Sequence, residues 1–431
     1  MKPIHPDKQP SLVFANRRGE IKDFPGLTMA GRSGHWFFKP QLTEMIPLPE
    51  GSDLFVLPDR LPIGIDPETG DPVLLDNSPD DAREGIQAVA AFMAPAHTAI
   101  YTAAFEKIRP EPIPLPLFAY TAVGWYQDQF WVCGFRSDND PRQDFAGFNP
   151  QLLREKTVKK LNKFPRNRLI QHLGKCCLTY GCPAAKNFFL NRFEAPLPTS
   201  PACNAKCVGC ISLQASGCCP STQDRIRFVP SPGEIAEIAV PHLNQVKGGV
   251  VSFGQGCEGE PLLQAETLEK GIRLIRKQTD CGTINLNSNA SLPAAVERLA
   301  AAGLDSIRVS INSSRKGCHT LYYRPKDFSF KNVLESILVM KKAGRFVSLN
   351  YFILPGFTDD PDEFQALCDL INLYRPDLIQ LRNLNMDPDW YLETVQYRPK
   401  QKPMGMQNWL SKLKNLFPDL RFGYFNPALR D

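Results

Sequence analysis

The segment Cys203-Asn204-Ala205-Lys206-Cys207-Val208-Gly209-Cys210 spaces three cysteines four and then three residues apart, just after a strand-like stretch and Pro201. Three thiolates can hold three irons of a 4Fe-4S cube and leave the fourth iron open, whereas a four-cysteine site would be complete. Two other interpretations stay open at this point. The thiols could line one helix face as small core residues, or they could bind zinc with a fourth ligand from elsewhere.

The start of the chain, Met1-Lys2-Pro3-Ile4-His5-Pro6, lacks the apolar stretch of a secretory signal, and no run of about 18 apolar residues occurs anywhere. We therefore expect a cytoplasmic protein that does not enter a membrane. Thirteen cysteines in such a chain favour metal or redox chemistry over disulfides, because cytosolic thiols are kept reduced. The net charge of +5 is too balanced to indicate nucleic-acid binding by itself.

Residues 1–150 are rich in Pro and Gly and carry short β-prone runs, such as Leu54-Phe55-Val56-Leu57 and Phe130-Trp131-Val132-Cys133. This pattern predicts a β-rich accessory domain, to which residues 82–104 could add a helix. Apolar positions between residues 151 and 163 approximate helical spacing and stop before Pro165, so residues 151–186 are expected to form a basic helical linker.

Strand-like and helical patterns alternate from residue 187 to about 385. Such repeated units predict a parallel α/β sheet, curled into a barrel or a doubly wound layer, with ligands at the carboxyl ends of the strands. Residues 386–431 are expected to form a C-terminal helical extension. The predicted strands are 249–253, 283–286, 306–310, 347–354 and 378–381, and the predicted helices are 262–278, 292–302, 328–343, 361–374 and 406–416.

The C-x-x-x-C-x-x-C motif after the first strand of this pattern resembles the cluster motif of the radical S-adenosylmethionine (SAM) superfamily, over about residues 190–385. The resemblance implies a partial (β/α)6 TIM-like barrel over residues 187–385 and a 4Fe-4S cluster on Cys203, Cys207 and Cys210. It also implies reductive cleavage of SAM to a 5'-deoxyadenosyl radical, which abstracts hydrogen from an unidentified substrate, and an electron donor such as flavodoxin or ferredoxin. One departure is Gly209, where relatives usually have an aromatic residue.

Four other strand ends strengthen the resemblance, because each carries glycine or short polar residues in the expected order. The resemblance assigns residues at these strand ends to SAM. In chain order they would contact the methionyl amino group, then the ribose and the carboxylate, and then the adenine side. Taken singly they could equally be turn formers, and Thr358 or Asp359 could cap the next helix. The residues are Gly259, Glu260, Pro261, Asn287, Asn289, Ser310, Asn312, Arg324, Pro355 and Gly356.

Five further cysteines flank the motif and could hold an auxiliary iron-sulfur cluster or one metal ion. A redox dithiol or buried thiols would explain them as well. No cysteine follows Cys368, so the C-terminal cysteine-rich extension of peptide-modifying relatives is missing. His319, Tyr322, Tyr323 and Cys257 are further candidates to face a substrate, without an assigned role. The five flanking cysteines are Cys176, Cys177, Cys182, Cys218 and Cys219.

A stripe of eight basic residues with a single acid, Glu155, precedes the motif. These basic side chains could bind RNA phosphates, although a solvated helix face and linker is the simpler explanation of the stripe. The rival function of another class is a non-catalytic metal-binding or iron-sulfur electron-transfer protein, which would have no need of an open iron. The eight residues are Arg154, Lys156, Lys159, Lys160, Lys163, Arg166, Arg168 and Lys175.

Overall fold

The computed structural model describes residues 9–214 and 219–430. Spatial contacts divide them into two compact units, and each unit draws on separate stretches of the chain. One unit comprises residues 9–139, 352–366 and 381–418, and the other comprises 140–214, 219–351, 367–380 and 419–430. These units are defined by contact, so the predicted domain boundaries stay a prediction. No helix in the described ranges has both the length and the apolar character that a membrane span needs.

The region before residue 140 is built from short antiparallel strands. Its main sheet has the path β10-β14-β13-β1-β2-β7-β12, with β5, β6, β8 and β9 attached at the side, and β11-β3-β4 forms a second sheet. The strands are β1 Ser11–Ala15, β2 Ile21–Met29, β3 Gly31–Ser33, β4 Trp36–Phe38, β5 Met45–Pro47, β6 Asp53–Leu57, β7 Arg60–Ile65, β8 Pro72–Leu74, β9 Gln87–Phe92, β10 His97–Ala99, β11 Thr102–Ala103, β12 Phe105–Lys107, β13 Val123–Tyr126 and β14 Gln129–Arg136.

The predicted β-rich character of this region is confirmed, and both quoted runs lie in strands, β6 and β14. The helix expected within residues 82–104 is wrong, because β9, β10 and β11 occupy that stretch. The central residues of β9 are buried, and β9 pairs with both β1 and β6. A strand covered on both faces shows no alternation, so periodicity cannot distinguish it from a buried helix.

Three helices follow: α1 Pro150–Lys163, α2 Arg168–Leu178 and α3 Pro183–Phe189. Asn149 and Asn167 begin the first two, since each side chain accepts a hydrogen bond from the main-chain N–H three residues on. The helix predicted over 151–163 is thus confirmed. The second and third helices lie in the predicted linker and were not predicted individually.

The second large sheet has seven strands in chain order, β15 to β21, and forms a parallel half-barrel with helices between its strands. The predicted partial α/β barrel is confirmed, with one strand more than the six expected. From residue 194 onwards the elements are β15 Glu194–Pro196, α4 Pro232–Gln245, β16 Val250–Phe253, α5 Ala265–Arg276, β17 Thr283–Ser288, α6 Pro293–Ala302, β18 Ser306–Ile311, α7 Lys316–Tyr323, α8 Phe330–Lys342, β19 Phe346–Ile353, α9 Pro361–Tyr374, β20 Leu378–Asn383, α10 Pro388–Thr394, α11 Met406–Leu416 and β21 Arg421–Gly423. Of these, α10 and α11 belong to the unit that contains the β-rich region.

The central strands explain why this sheet forms. Every residue of β16 and β17 is buried, as expected for parallel strands with helices on one face and the barrel interior on the other. Local sequence signals mark where the helices begin. At α4, Ser231 and Glu234 form a capping box, and Pro232 lies in the first turn. The parallel register of β16, β17 and β18 brings their carboxyl ends to one edge of the sheet.

Candidate metal centre

The cysteine motif lies in a loop without regular secondary structure after β15, where main-chain hydrogen bonds hold it in place. The N–H groups of Lys206 and Val208 donate to the carbonyls of Tyr323 and Tyr322, at 3.0 and 3.1 Å. The Asn204 carbonyl accepts from the N–H of Lys326 at 2.8 Å. The end of α7, a helix that the sequence patterns did not reveal, therefore positions the motif.

The Asn204 side chain ties the motif to the end of β17. Its Nδ2 donates to Ser291 Oγ at 2.9 Å, and its Oδ1 accepts from Asn289 Nδ2, also at 2.9 Å. The main-chain N–H of Asn289 donates to Glu260 Oε2 at 2.9 Å. Two loops that the sequence assigns to one cofactor are thus connected directly.

The three motif thiols are close enough to influence one another. Burial raises the pKa of Cys207 well above its usual range, and the neighbouring Cys210 and Cys203 raise it further. Their sulfurs are nevertheless not gathered around one point: within the described ranges, the single group of three potential ligand atoms all within 4.8 Å is His172, Cys176 and Cys257.

Polar side chains that no sequence pattern identified lie close to the Cys210 sulfur. Arg225 Nη2 lies 3.6 Å from its sulfur, and Ser212 Oγ lies 3.7 Å away. Arg225 also donates to Ser212 Oγ, which in turn donates to the carbonyl of Glu258 at 3.1 Å. No spacing rule connects Arg225 to the motif, so only the folded chain reveals it.

The glycine-rich loop after β16 packs directly on the residues before Cys203. The N–H groups of Gly259 and Glu260 donate to the carbonyls of Ser200 and Ala202, at 2.7 and 2.8 Å. A Cβ on Gly259 would lie 2.0 Å from the Ala202 oxygen, so only glycine fits there. This glycine is explained by contact with the motif segment itself.

Two buried glutamates organise the same loop. Glu258 accepts the N–H groups of Thr199, Ser200 and Gln255. Glu260 accepts from Leu262 N and Ser288 Oγ on one oxygen, and from Asn289 N on the other. Burial raises the pKa of each carboxyl to about 7. Pro261 follows Glu260 at the start of a short 3-10 helix that Glu260 caps.

Asn287 belongs to a buried polar network that includes a residue from the C-terminal segment. Asn287 Nδ2 donates to the Gly254 carbonyl at 2.9 Å, and its Oδ1 accepts from Asn285 Nδ2 at 2.8 Å. Asn426 Nδ2 donates to Ser252 Oγ at 3.3 Å and lies 3.4 Å from Asn287 Oδ1. No sequence signal marked Asn426, because nothing local shows that it returns to the sheet.

The remaining predicted SAM contacts lie in different settings. Ser310 is half-buried in β18, and Asn312 Nδ2 donates to the Cys318 carbonyl at 3.2 Å. Arg324 is exposed and ends α7 with a left-handed φ of 45°. Pro355 and Gly356 belong to the other compact unit, where the Pro355 carbonyl accepts from Gly34 N and the Gly356 N–H donates to Asp359.

The flanking cysteines lie in different surroundings. Cys176 lies within the tight group with His172 and Cys257, and the hydrogen bond from Cys257, followed by the His172 ring, lowers the pKa of Cys176. Cys177 instead lies 3.6 Å from Thr157 Oγ1. Cys182 is the N-cap of α3, and its N–H donates to the Cys176 carbonyl. Cys219 is buried, whereas Cys218 lies outside the described residues.

His319 on α7 is completely buried, and its ring packs against Tyr323 and Phe330. Within the described ranges neither ring nitrogen has a hydrogen-bond partner. Burial lowers the pKa of His319 to about 4, so the ring is neutral at physiological pH.

Comparison with known proteins agrees with this geometry, since residues 197–371 match the model of the radical SAM superfamily. Residues 197–371 form a radical SAM domain. The superfamily uses a 4Fe-4S cluster and SAM, and its characterised members are enzymes. The match covers the motif, the glycine-rich loop and strands β16 to β19.

Two curated proteins resemble this domain. The chain is 26% identical over 195 residues to the probable dual-specificity RNA methyltransferase RlmN of Thermotoga petrophila, covering 43% of this chain and 53% of that protein. It is 24% identical over 177 residues to the FeMo cofactor biosynthesis protein NifB of Klebsiella pneumoniae, covering 38% and 37%. The chain thus spans about half the length or less of these relatives.

Solved radical SAM structures are similar only at low identity. Methylornithine synthase (PylB) superposes with a TM-score of 0.38 and 15% identity, over 56% of this chain and 68% of that one. The native anSMEcpe structure with bound AdoMet gives a TM-score of 0.37 and 18% identity, over 53% and 60%. The family assignment therefore rests on the sequence match of residues 197–371.

Proposed function

We propose that this protein is a radical SAM enzyme whose 4Fe-4S cluster is held by Cys203, Cys207 and Cys210. The observation that carries the proposal is the three-thiol loop, whose preceding residues are hydrogen-bonded to the Gly259–Glu260 segment. When bound, the reduced cluster and SAM supply a 5'-deoxyadenosyl radical that takes a hydrogen atom from the substrate.

The protein's own groups would position these cofactors. Glu260 accepts three hydrogen bonds from the chain, and a carboxylate offers about four acceptor positions, so one position remains for the methionyl ammonium group of SAM. Asn204 and Asn289 hold the motif against the end of β17. Glu260 is therefore both a structural anchor of the loop and our candidate for cationic recognition.

The other predicted contacts belong to the proposal at the positions that the resemblance assigned. They divide into the loop after β16, the ends of β17 and β18, and the turn after β19. Arg324 is exposed, so its guanidinium is accessible to a carboxylate. The residues are Gly259, Pro261, Asn287, Asn289, Ser310, Asn312, Arg324, Pro355 and Gly356.

Anaerobic reconstitution with iron and sulfide tests the proposal. We expect the parent protein to form 5'-deoxyadenosine from SAM when reduced with dithionite. The variants Cys203→Ser, Cys207→Ser and Cys210→Ser should lose both the motif's cluster and this product. Cys281→Ser is the matched control, because Cys281 is exposed and lies outside the site. A reconstituted parent that forms no 5'-deoxyadenosine would favour the rival, a non-catalytic metal-binding or electron-transfer protein.

The partners are proposals as well. A one-electron donor such as flavodoxin or ferredoxin would reduce the cluster, and reduced flavodoxin in place of dithionite tests this step. Cytoplasmic location fits an oxygen-sensitive cluster, because thiols are kept reduced in that compartment.

RNA is a further possible partner, supported by the similarity to an RNA methyltransferase and by the lysines of α1. Two members of the basic stripe are paired with acids, Arg168 with Glu234 and Lys175 with Asp224. This pairing reduces the charge available for phosphates, so the solvated-surface interpretation keeps its advantage. Electrophoretic retardation of transfer RNA at physiological salt tests the RNA proposal, and an unshifted band would count against it.

A further inference from the structure

His172, Cys176 and Cys257 form a compact group of potential metal ligands next to the cysteine motif. Their ligand atoms, one ring nitrogen and two sulfurs, all lie within 4.8 Å of one another. His172 and Cys176 are four residues apart on α2, so they share one helix face. Cys257 comes from the loop after β16, far away in the sequence, which is why spacing could not predict the group.

The distances in this group fit a single tetrahedral ion. His172 Nε2 lies 3.5 Å from Cys176 Sγ. With Zn–S near 2.3 Å and Zn–N near 2.0–2.1 Å, a tetrahedral ion places such a nitrogen and sulfur roughly 3.6 Å apart. Two sulfurs on one such ion lie about 3.8 Å apart, which is inside the 4.8 Å that bounds all three ligand atoms. The same separation would also suit a thiol–imidazole hydrogen bond, so the experiment must separate these states.

Burial and charge also favour a single metal ion bound by these three residues. Cys176 and Cys257 are buried and His172 is half-buried, which leaves an approach from solvent on the histidine side. Two thiolates with a neutral imidazole balance the charge of a divalent cation, so the loaded site buries no net charge. Thiolate and imidazole ligands together select zinc-type transition metals over magnesium or calcium.

The backbone already holds the three residues in position. The carbonyl of Cys257 accepts from Ile226 N at 2.7 Å, and the carbonyl of Cys176 accepts from Cys182 N at 3.0 Å. Cys182 is thus close to the group without belonging to it. A fourth coordination position stays open to this thiol or to solvent.

We propose that His172, Cys176 and Cys257 bind one zinc-type divalent ion, which joins α2 to the loop that packs on the cysteine motif. The ligand set differs from the flanking cysteines predicted for an auxiliary cluster, since Cys177 and Cys219 take no part in it. The site does not depend on the proposed activity, because none of its ligands belongs to the motif.

Anaerobic titration with Co²⁺ tests the proposal, using the full chain with Cys203→Ser, Cys207→Ser and Cys210→Ser so that the motif cannot compete. We expect one Co²⁺ per chain, thiolate-to-cobalt charge-transfer absorption, the visible bands of tetrahedral cobalt, and displacement by Zn²⁺. Cys176→Ser, Cys257→Ser and His172→Ala should each weaken binding by more than about 100-fold, beyond the 10–100-fold typical for loss of an outer-shell partner. Cys177→Ser is the matched control and should keep the signal, because its sulfur contacts Thr157.

Zinc-edge X-ray absorption of the reconstituted parent protein gives an answer that does not depend on any variant folding. Two sulfurs and at least one nitrogen around zinc would support the proposal. It would be overturned by the absence of a cobalt signal, by a signal that survives Cys257→Ser, or by a Cys176–Cys257 disulfide in the metal-free protein. It would also be overturned if iron and sulfide build a second cluster, about four irons, on the motif-free variant.

Discussion

Gly259 offers a sharp test of how the glycine-rich loop supports the metal centre. The substitution Gly259→Ala adds one methyl group at a position where the loop is hydrogen-bonded to the segment just before Cys203. The new Cβ would lie 2.0 Å from the Ala202 oxygen and 2.5 Å from its carbonyl carbon. Both neighbours are backbone atoms, so no side chain can rotate away to relieve the contact.

The size of the displacement follows from these distances. Real Cβ contacts essentially never fall below 3.0 Å, so the Ala202 oxygen and the new methyl group must separate by about 1 Å. Functional constellations generally have to be held to about 0.5 Å, and overpacking of a filled interior costs about 1–3 kcal/mol. We therefore expect both a loss of stability in that range and a displaced Cys203.

Two assays measure these effects separately. Urea unfolding of the apo-protein gives the free energy of unfolding, and iron analysis with electron paramagnetic resonance gives cluster occupancy after reconstitution. Gly317→Ala on α7 is the control, because its Cβ would meet no atom within 4 Å. That change should stabilise the protein by about 0.5–1 kcal/mol, since glycine is the poorer helix former.

The reasoning would be refuted if Gly259→Ala kept the parental unfolding free energy and the parental iron content. A variant that loses stability but keeps full iron content would show that the loop can move without disturbing Cys203. That result would separate the packing of the loop from the geometry of the cluster ligands.

Three further predictions concern single side chains. His319→Phe should make the free energy of unfolding depend less on pH under acid conditions. The pKa of His319 is about 4 in the folded state against about 6.5 when unfolded, so the parent loses up to about 3 kcal/mol of unfolding free energy as pH falls from 6.5 to 4. The variant lacks this loss because phenylalanine does not titrate. Asp387→Ala should lower the free energy of unfolding by about 3–5 kcal/mol, because it leaves the buried Arg60 guanidinium without its carboxylate, and chemical denaturation measures this. Arg225→Gln should lower the cluster reduction potential in a potentiometric titration, since it removes a donor from Cys210.

Each of these has a control or a contradicting outcome. An unchanged slope between pH 4 and 6.5 in His319→Phe would show that the ring is already protonated or solvated in the folded state. Lys22→Ala breaks the exposed pair with Asp80 and should cost less than about 1 kcal/mol, in contrast to the buried pair. An unchanged potential in Arg225→Gln would mean that the guanidinium does not influence the cluster.

Much of the barrel could be predicted because its signals are local. Strands such as Thr283–Ser288 are short buried runs that are followed by helical patterns, and the motif cysteines are defined by their spacing alone. The helix α7 escaped prediction because it has only eight residues and no side-chain cap. The strands between residues 87 and 103 were misread because a strand buried on both faces has no period of two.

The parts of the site that escaped prediction depend on contacts between distant segments. Cys257 joins His172 and Cys176, and Asn426 returns to the sheet beside Asn287, through folding that no local pattern encodes. The roles of Gly259 and Glu260 are also broader than the motif suggests. Both residues hold the loop in place through hydrogen bonds, which a similarity between sequence motifs cannot reveal.

The β-rich unit is completed by chain that lies late in the sequence. Residues 352–366 and 381–418 belong to it, and the Arg60–Asp387 pair and the hydrogen bonds of Asn383 with His97 and Ala99 tie them in. During synthesis the first 139 residues must therefore wait for these late segments before Arg60, His97 and Ala99 have their partners. A fragment cut at residue 139 would keep β1 to β14 but leave the buried Arg60 without Asp387, and we expect it to aggregate rather than to fold alone.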